Sequence, residues 1–153
     1  MRVRGLWGRD SSLVYVDCLI EGQSPQFSTP ITLAMDTGCS RTTIKDKDAA
    51  ILAFDYRQLN RVEGGILGIS GKSRGWYLQG ITITFATMEG STYQESLASI
   101  LVSKHVARTE ERRKQINRIP SLLGLDVLRN SRITFDQQGA IMEFPPFLAG
   151  QVT

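Results

Sequence analysis

Histidine and cysteine are scarce in this chain of 153 residues. It has one histidine, His105, and two cysteines, Cys18 and Cys39, which stand far apart and form no Cys-x-x-Cys pair. That scarcity excludes a zinc site built from clustered Cys and His ligands, and no metal or other cofactor is expected. Any histidine-dependent catalytic triad would have to be built on His105. This residue lies in a polar, basic segment, where a solvated side chain is the plain expectation. Two unpaired thiols suit a reducing compartment better than a disulfide framework. Long apolar runs are missing too, and none approaches the ~20 residues of a membrane span. The opening "MRVRGLWGRD" has basic residues with no apolar stretch behind them, so no signal peptide is visible. We therefore expect a soluble, cytoplasmic protein without membrane association. Internal repeats and low-complexity tracts are also absent.

The composition, 41% hydrophobic and 22% charged, is that of a globular protein. Such a length fits one domain, residues 1–153, able to bury roughly 70% of its unfolded surface. The net charge of +3 is unevenly spread. Six basic residues (Lys104, Arg108, Arg112, Arg113, Lys114 and Arg118) face only Glu110 and Glu111 in one segment, leaving the remainder near neutrality. That segment, about 104–118, lacks interleaved aromatics and is broken by its glutamates. A solvated helix or loop is expected there, not a nucleic-acid surface.

Period-2 alternation dominates elsewhere. "SLVYVDCLI" (Ser12 to Ile20) reads as a strand ending at a Glu21-Gly22 turn. In "FSTPITLAMD", Ile31, Leu33 and Met35 alternate against Thr32, Ala34 and Asp36, so Asp36 points away from the apolar set. Asp46 to Tyr56 suits a short helix capped by Asp46 or Asp48. Residues 60–85 read as two extended arms around a turn at Ser70-Gly71-Lys72-Ser73, and Ser96 to Val102 as a further strand. "SLLGLDVLRN" suggests a strand end passing through Gly124 into a short helix. "RITFDQQGAIMEF" is a hairpin turning at Asp136-Gln137-Gln138-Gly139, and Pro145-Pro146 ends the regular structure. The sum is about seven strands and two short helices, a mainly-β domain.

Two motifs could carry chemistry. "GGILGISGKS" mimics a phosphate-binding loop, but Gly65 and Gly71 are separated by five residues where the loop needs four. A β-rich segment follows it where a helix is required. The other is Asp36-Thr37-Gly38, at the end of an apolar strand. A bare triplet of this kind arises by composition in roughly one chain in thirty of this length, so alone it could be an Asx-type turn. Its context is more specific. Cys39 and Ser40 continue it with small residues, and a Gly-rich hairpin long enough to cover a site follows. Still later comes an apolar-apolar-Gly unit, Leu122-Leu123-Gly124.

This combination resembles the retropepsin-like aspartic proteases, single-domain homodimeric relatives of pepsin. The resemblance rests on Asp36-Thr37-Gly38-Cys39-Ser40, on the Arg61 to Phe85 hairpin, and on Leu122-Leu123-Gly124-Leu125-Asp126-Val127-Leu128. It spans nearly the whole chain in the right order. The chain departs from the pattern at Cys39, where alanine or serine is usual, and at Leu125, where retroviral members commonly carry arginine.

The resemblance implies a mainly-β, closed acid-protease fold with one or two short helices. It implies an aspartic endopeptidase acting on peptide or protein substrates, with Asp36 catalytic. Because the chain holds a single Asp-Thr-Gly, Asp36 would have to pair with Asp36 of a second copy in a homodimer. Thr37 would lock the two loops together, and Gly38 would leave room for substrate backbone. The hairpin at about 61–85 would be a flap, with Ile69, Ser70 and Gly71 at its tip touching substrate. Ile66, Leu67, Ile69 and Trp76 would line apolar specificity pockets. Two other classes stay open: a non-proteolytic peptide-binding or regulatory module of the same fold, and an adaptor using the 104–118 segment for acidic partners.

Overall fold

Val14, Val16, Cys18 and Ile20 are buried at every second position, and the chain through them runs extended. The computed structural model describes residues 1–10, 12–68 and 71–145. Their strands in chain order are β1 Arg2–Trp7, β2 Val14–Ser24, β3 Gln26–Met35, β4 Thr43–Ile44, β5 Asn60–Arg61, β6 Ile66–Gly68, β7 Gly71–Ala86, β8 Thr92–Lys104, β9 Ser121–Leu123, β10 Arg132–Phe135 and β11 Gly139–Glu143. The helices are α1 Asp46–Leu52, α2 Glu110–Ile116 and α3 Leu125–Leu128, with a 3₁₀ turn at Tyr56–Gln58.

The pairings close on themselves. Following neighbours from β2 through β3, β9, β4, β8 and β7 leads back to β2, so the sheet is a closed barrel of the expected mainly-β class. β1, β11 and β10 continue outward from β2, with β10 at the edge. β1 pairs antiparallel with β11 of its own chain, from Arg2 opposite Glu143 to Leu6 opposite Gly139. Ile20, Leu33, Leu78, Ile83, Ile100 and Leu123 fill the interior. Phe144 is fully buried after β11, with its ring centroid 4.0 Å from that of Tyr93. That stack ties the end of the last hairpin into the core.

Several sequence expectations need correction. Glu21-Gly22 is not a turn: β2 continues to Ser24, and Gly22 pairs with Phe27. A Cβ on Gly22 would lie 2.3 Å from the Phe27 ring, so the glycine serves a close contact, not a reversal. The 60–85 hairpin reverses earlier than expected, since Gly68 pairs with Gly71, and Lys72 and Ser73 already belong to β7. The strand and short helix expected around Gly124 are β9 and α3, whereas β1 and the two-residue β4 were not anticipated and the first arm of the 60–85 hairpin divides into β5 and β6. No described helix is long and apolar enough to cross a membrane.

His105 is the largest correction. It is buried at 7% exposure, and its Nδ1 lies 2.7 Å from Asp46 Oδ1, while its backbone N–H donates to Asp46 Oδ2 at 2.7 Å. Asp46 therefore does not cap α1. Lys45 occupies that N-cap position without a side-chain cap bond, and Asp48 accepts from Ser121 Oγ at 2.5 Å. The basic segment does form a helix, α2, and the Thr109 hydroxyl caps it by accepting from Arg112 N–H at 3.1 Å.

Candidate active site

Asp36 follows the last residue of β3, and β3 runs parallel to β9 with Met35 opposite Leu123. Beyond Asp36 the chain crosses the end of β9 and returns as β4 on its other side, where Thr43 pairs with Leu122. The loop 36–42 thus bridges the two flanks of β9, and its geometry is dictated by the strand it straddles.

Backbone bonds to Leu123, Leu125 and Asp126 hold that loop from below. Asp36 N–H donates to Leu123 O at 3.0 Å, Leu125 N–H to Cys39 O at 2.8 Å, and Asp126 N–H to Ser40 O at 3.2 Å. Asp126 then reaches forward: its Oδ2 accepts Thr42 N–H at 2.9 Å and its Oδ1 accepts the Thr42 hydroxyl at 2.7 Å. Gly124 lies so close beneath that a Cβ there would stand 2.6 Å from the backbone carbon of Arg41. Only glycine permits this approach. The Leu122–Leu128 motif is therefore a cradle for the Asp36 loop.

Within the loop, Asp36 Oδ1 accepts Gly38 N–H at 2.8 Å, and Asp36 O accepts Cys39 N–H at 3.2 Å. The Asx turn anticipated as the bland alternative is real. It also orients the carboxyl, so the two readings coincide. Asp36 is half-buried, whereas Thr37 and Gly38 are exposed beside it. Cys39 is half-buried and its Sγ donates to Arg41 O at 2.9 Å.

A cleft of about 380 Å3 lies between this loop and β6. Asp36, Gly38 and Cys39 line it on one side, with Ile66, Leu67 and Gly68 of the hairpin opposite. A larger depression of about 660 Å3 flanks the hairpin at Arg61–Gly65, but Asp36 takes no part in it. Leu67 is 86% exposed over the cleft. Trp76 does not line it: it is buried, with its ring 4.4 Å from that of Tyr56. Of the expected tip residues, Gly71 opposes Gly68 at the end of the hairpin, while Ile69 and Ser70 lie outside the described residues. No group of three His, Cys, Asp or Glu side chains among the described residues could hold a metal ion.

The cleft also contains a residue that sequence reasoning missed. Lys45 is 7% exposed and faces the same space as Asp36 and Cys39. Burial lowers its ammonium below the ordinary lysine value, and the carboxylates of Asp46 and Asp36 oppose that shift. Nothing in the sequence marks it: Thr43 and Lys45 flank Ile44, and period 2 puts both on the face opposite a core residue, which is ordinarily solvent.

A retropepsin-like aspartic protease from Rickettsia conorii has this architecture. The two structures superpose with a TM-score of 0.53 at 16% identity, covering 94% of this chain and 89% of that one. The fold is that of the retropepsin-like aspartic proteases. EIAV protease complexed with the inhibitor HBY-793 is also similar, at 18% identity over 81% of this chain and 92% of that one, but its TM-score of 0.43 adds no weight. No protein-family model and no curated protein matches the sequence. The likeness in fold thus holds at low sequence identity. What its closed barrel contributes here is a rigid platform for the loop carrying Asp36.

Proposed function

We propose that this protein is an aspartic endopeptidase, a single domain that acts as a homodimer. The observation that carries the reading is the position of Asp36. It is a half-buried carboxyl on a loop fixed from below, at a cleft that the hairpin strand β6 covers from above.

One carboxyl is insufficient for this chemistry. Two are needed side by side and sharing a proton, because like charges about 3 Å apart cannot both ionise without large cost. The second is Asp36 of another copy across a two-fold axis. The ionised member removes a proton from a water molecule, which attacks the scissile carbonyl carbon. The protonated member donates a hydrogen bond to the carbonyl oxygen, and the leaving nitrogen takes up a proton as the C–N bond breaks. The two apparent pKa values belong to the pair.

Thr37, exposed beside Asp36, faces the corresponding loop of the second copy. Gly38, without a side chain, leaves the substrate backbone room to approach. The β6–β7 hairpin acts as a flap that excludes water. Substrate binds extended, adding strand-like hydrogen bonds. The free thiols of Cys18 and Cys39 support a reducing, cytoplasmic setting.

The test is Asp36→Asn, which keeps the acceptor for Gly38 N–H while removing the ionisable group. Hydrolysis of an unfolded protein substrate is expected to vanish with the melting temperature unchanged. Wild-type activity is expected to be bell-shaped in pH, with a mildly acidic maximum. A variant as active as wild type would overturn the reading.

A further inference from the structure

Lys45 is a largely buried residue whose ammonium this mechanism leaves without a role. Its backbone is fully engaged: its N–H donates to Ser121 Oγ at 2.9 Å, and its carbonyl accepts the Asp48 and Ala49 amides at 3.1 and 2.9 Å. Its ammonium is not. Among the described residues it makes no hydrogen bond or ion pair, although the residue is 7% exposed and lines the cleft.

Arg41, the other cation at the cleft, is committed elsewhere. Its Nη2 donates to Ser99 Oγ at 2.7 Å, and its guanidinium lies over the Tyr77 ring, 5.4 Å from the centroid. The cleft therefore holds two cations against the single carboxyl of Asp36, and only one of the cations is satisfied. Ile66, Leu101 and Leu122 complete an apolar wall around it. Ser103 Oγ is the one fully buried polar side-chain atom without a partner among the described residues, so the Lys45 ammonium opens on the cleft, where an entering anion can meet it, and the apolar wall strengthens the pair once one arrives. A peptide lying extended along β6 turns alternate side chains toward this wall, so a carboxylate on one of them can reach the ammonium.

We propose that Lys45 is a specificity-determining residue that pairs with an aspartate or glutamate side chain of the bound peptide. This inference rests on the endopeptidase reading, and the substrate class it names is peptides with an acidic residue close to the scissile bond.

Peptides identical except for Glu, Gln or Lys at each position flanking the cleaved bond give the test. At one of those positions kcat/KM is expected to favour Glu over Gln by roughly tenfold to a hundredfold, the range of a charge-assisted hydrogen bond. Lys45→Met should erase the difference, Lys45→Arg should retain it, and Lys45→Glu should favour the Lys peptide. If Lys45→Met fails to fold, Lys45→Gln takes its place. A wild-type protein indifferent to acidic residues, or a preference that survives loss of the lysine charge, overturns the inference while leaving the Asp36 assignment standing. Should no peptide be cleaved, it is the Asp36 assignment that fails. Fluorescence anisotropy of the same labelled peptides on the wild type and on Lys45→Met then reads Lys45 alone. Glu peptides bound no more tightly than Gln peptides would overturn it.

Discussion

The Asp126 carboxylate holds Thr42 at two points, accepting its amide at 2.9 Å and its hydroxyl at 2.7 Å. Thr42 is fully buried, and its hydroxyl oxygen also accepts Gly124 N–H at 3.2 Å. The Asp126 side chain therefore clasps the far end of the loop that carries Asp36, beside the backbone bonds that hold the rest of it. Asp126→Ala strands two buried donors and should cost about 2–4 kcal/mol of stability by urea denaturation. A loss under about 0.5 kcal/mol, typical of an indifferent surface site, would show that the clasp contributes little.

Gly124→Ala tests the same cradle from below. The added Cβ would meet Arg41 and Thr42 backbone atoms at 2.6 to 2.9 Å, and backbone cannot swing aside as a flexible side chain can. The Asp36 loop must shift, at a cost of about 1–3 kcal/mol, and peptide hydrolysis should fall further than stability does. Equal activity at unchanged melting temperature would mean that the loop tolerates displacement.

Much of this site was legible because its parts are local and spaced by strand geometry. Asp36 could be read from the apolar alternation before it, and Gly124 from the apolar pair before it. What could not be read are pairings made across the barrel. His105 looked solvated because its neighbours in sequence are charged, yet its partner Asp46 lies 59 residues away. Lys45 was passed over because a lysine in a polar run suggests solvent, and only the closure of β4 between β8 and β9 buries it. Gly22 was misread for a related reason, since a turn glycine and a glycine beneath the ring of Phe27 look alike until the strands pair.

The two thiols should react differently. Cys18 is buried, and burial pushes its thiol up to about 12, with Asp17 adding to the shift. Cys39 is half-buried and lines the cleft. Iodoacetamide on the native protein should label Cys39 and spare Cys18 until the chain unfolds. Labelling should block peptide hydrolysis, and Cys39→Ala should stay active and resist inhibition. Native labelling of Cys18, or full activity after labelling Cys39, would contradict this placement; peptide mapping by mass spectrometry reads both.

Acid should release one tie at the N-terminal strand. Arg2 Nε donates to Glu89 Oε1 at 2.8 Å and Arg2 N–H to Oε2 at 3.1 Å, which holds the Glu89 carboxyl down at about 2, against an ordinary 4.5. The folded value is below the unfolded one. The tie's contribution is therefore complete above the ordinary value and is lost as pH falls through about 2. An NMR titration should find Glu89 still ionised near pH 3, and Arg2→Ala should raise its midpoint. A wild-type midpoint in the ordinary glutamate range would show that the ion pair does not persist in solution.

The claim that Asp36 is half of a shared site is tested most directly by mixing. Wild type and Asp36→Asn, combined in equal amounts and allowed to exchange subunits, are assayed at fixed total protein. If one dyad needs Asp36 from both copies, only wild-type homodimers act, and activity should fall to roughly one quarter of that of pure wild type. A fall to only about one half would mean that each chain works alone, and it would contradict the shared dyad.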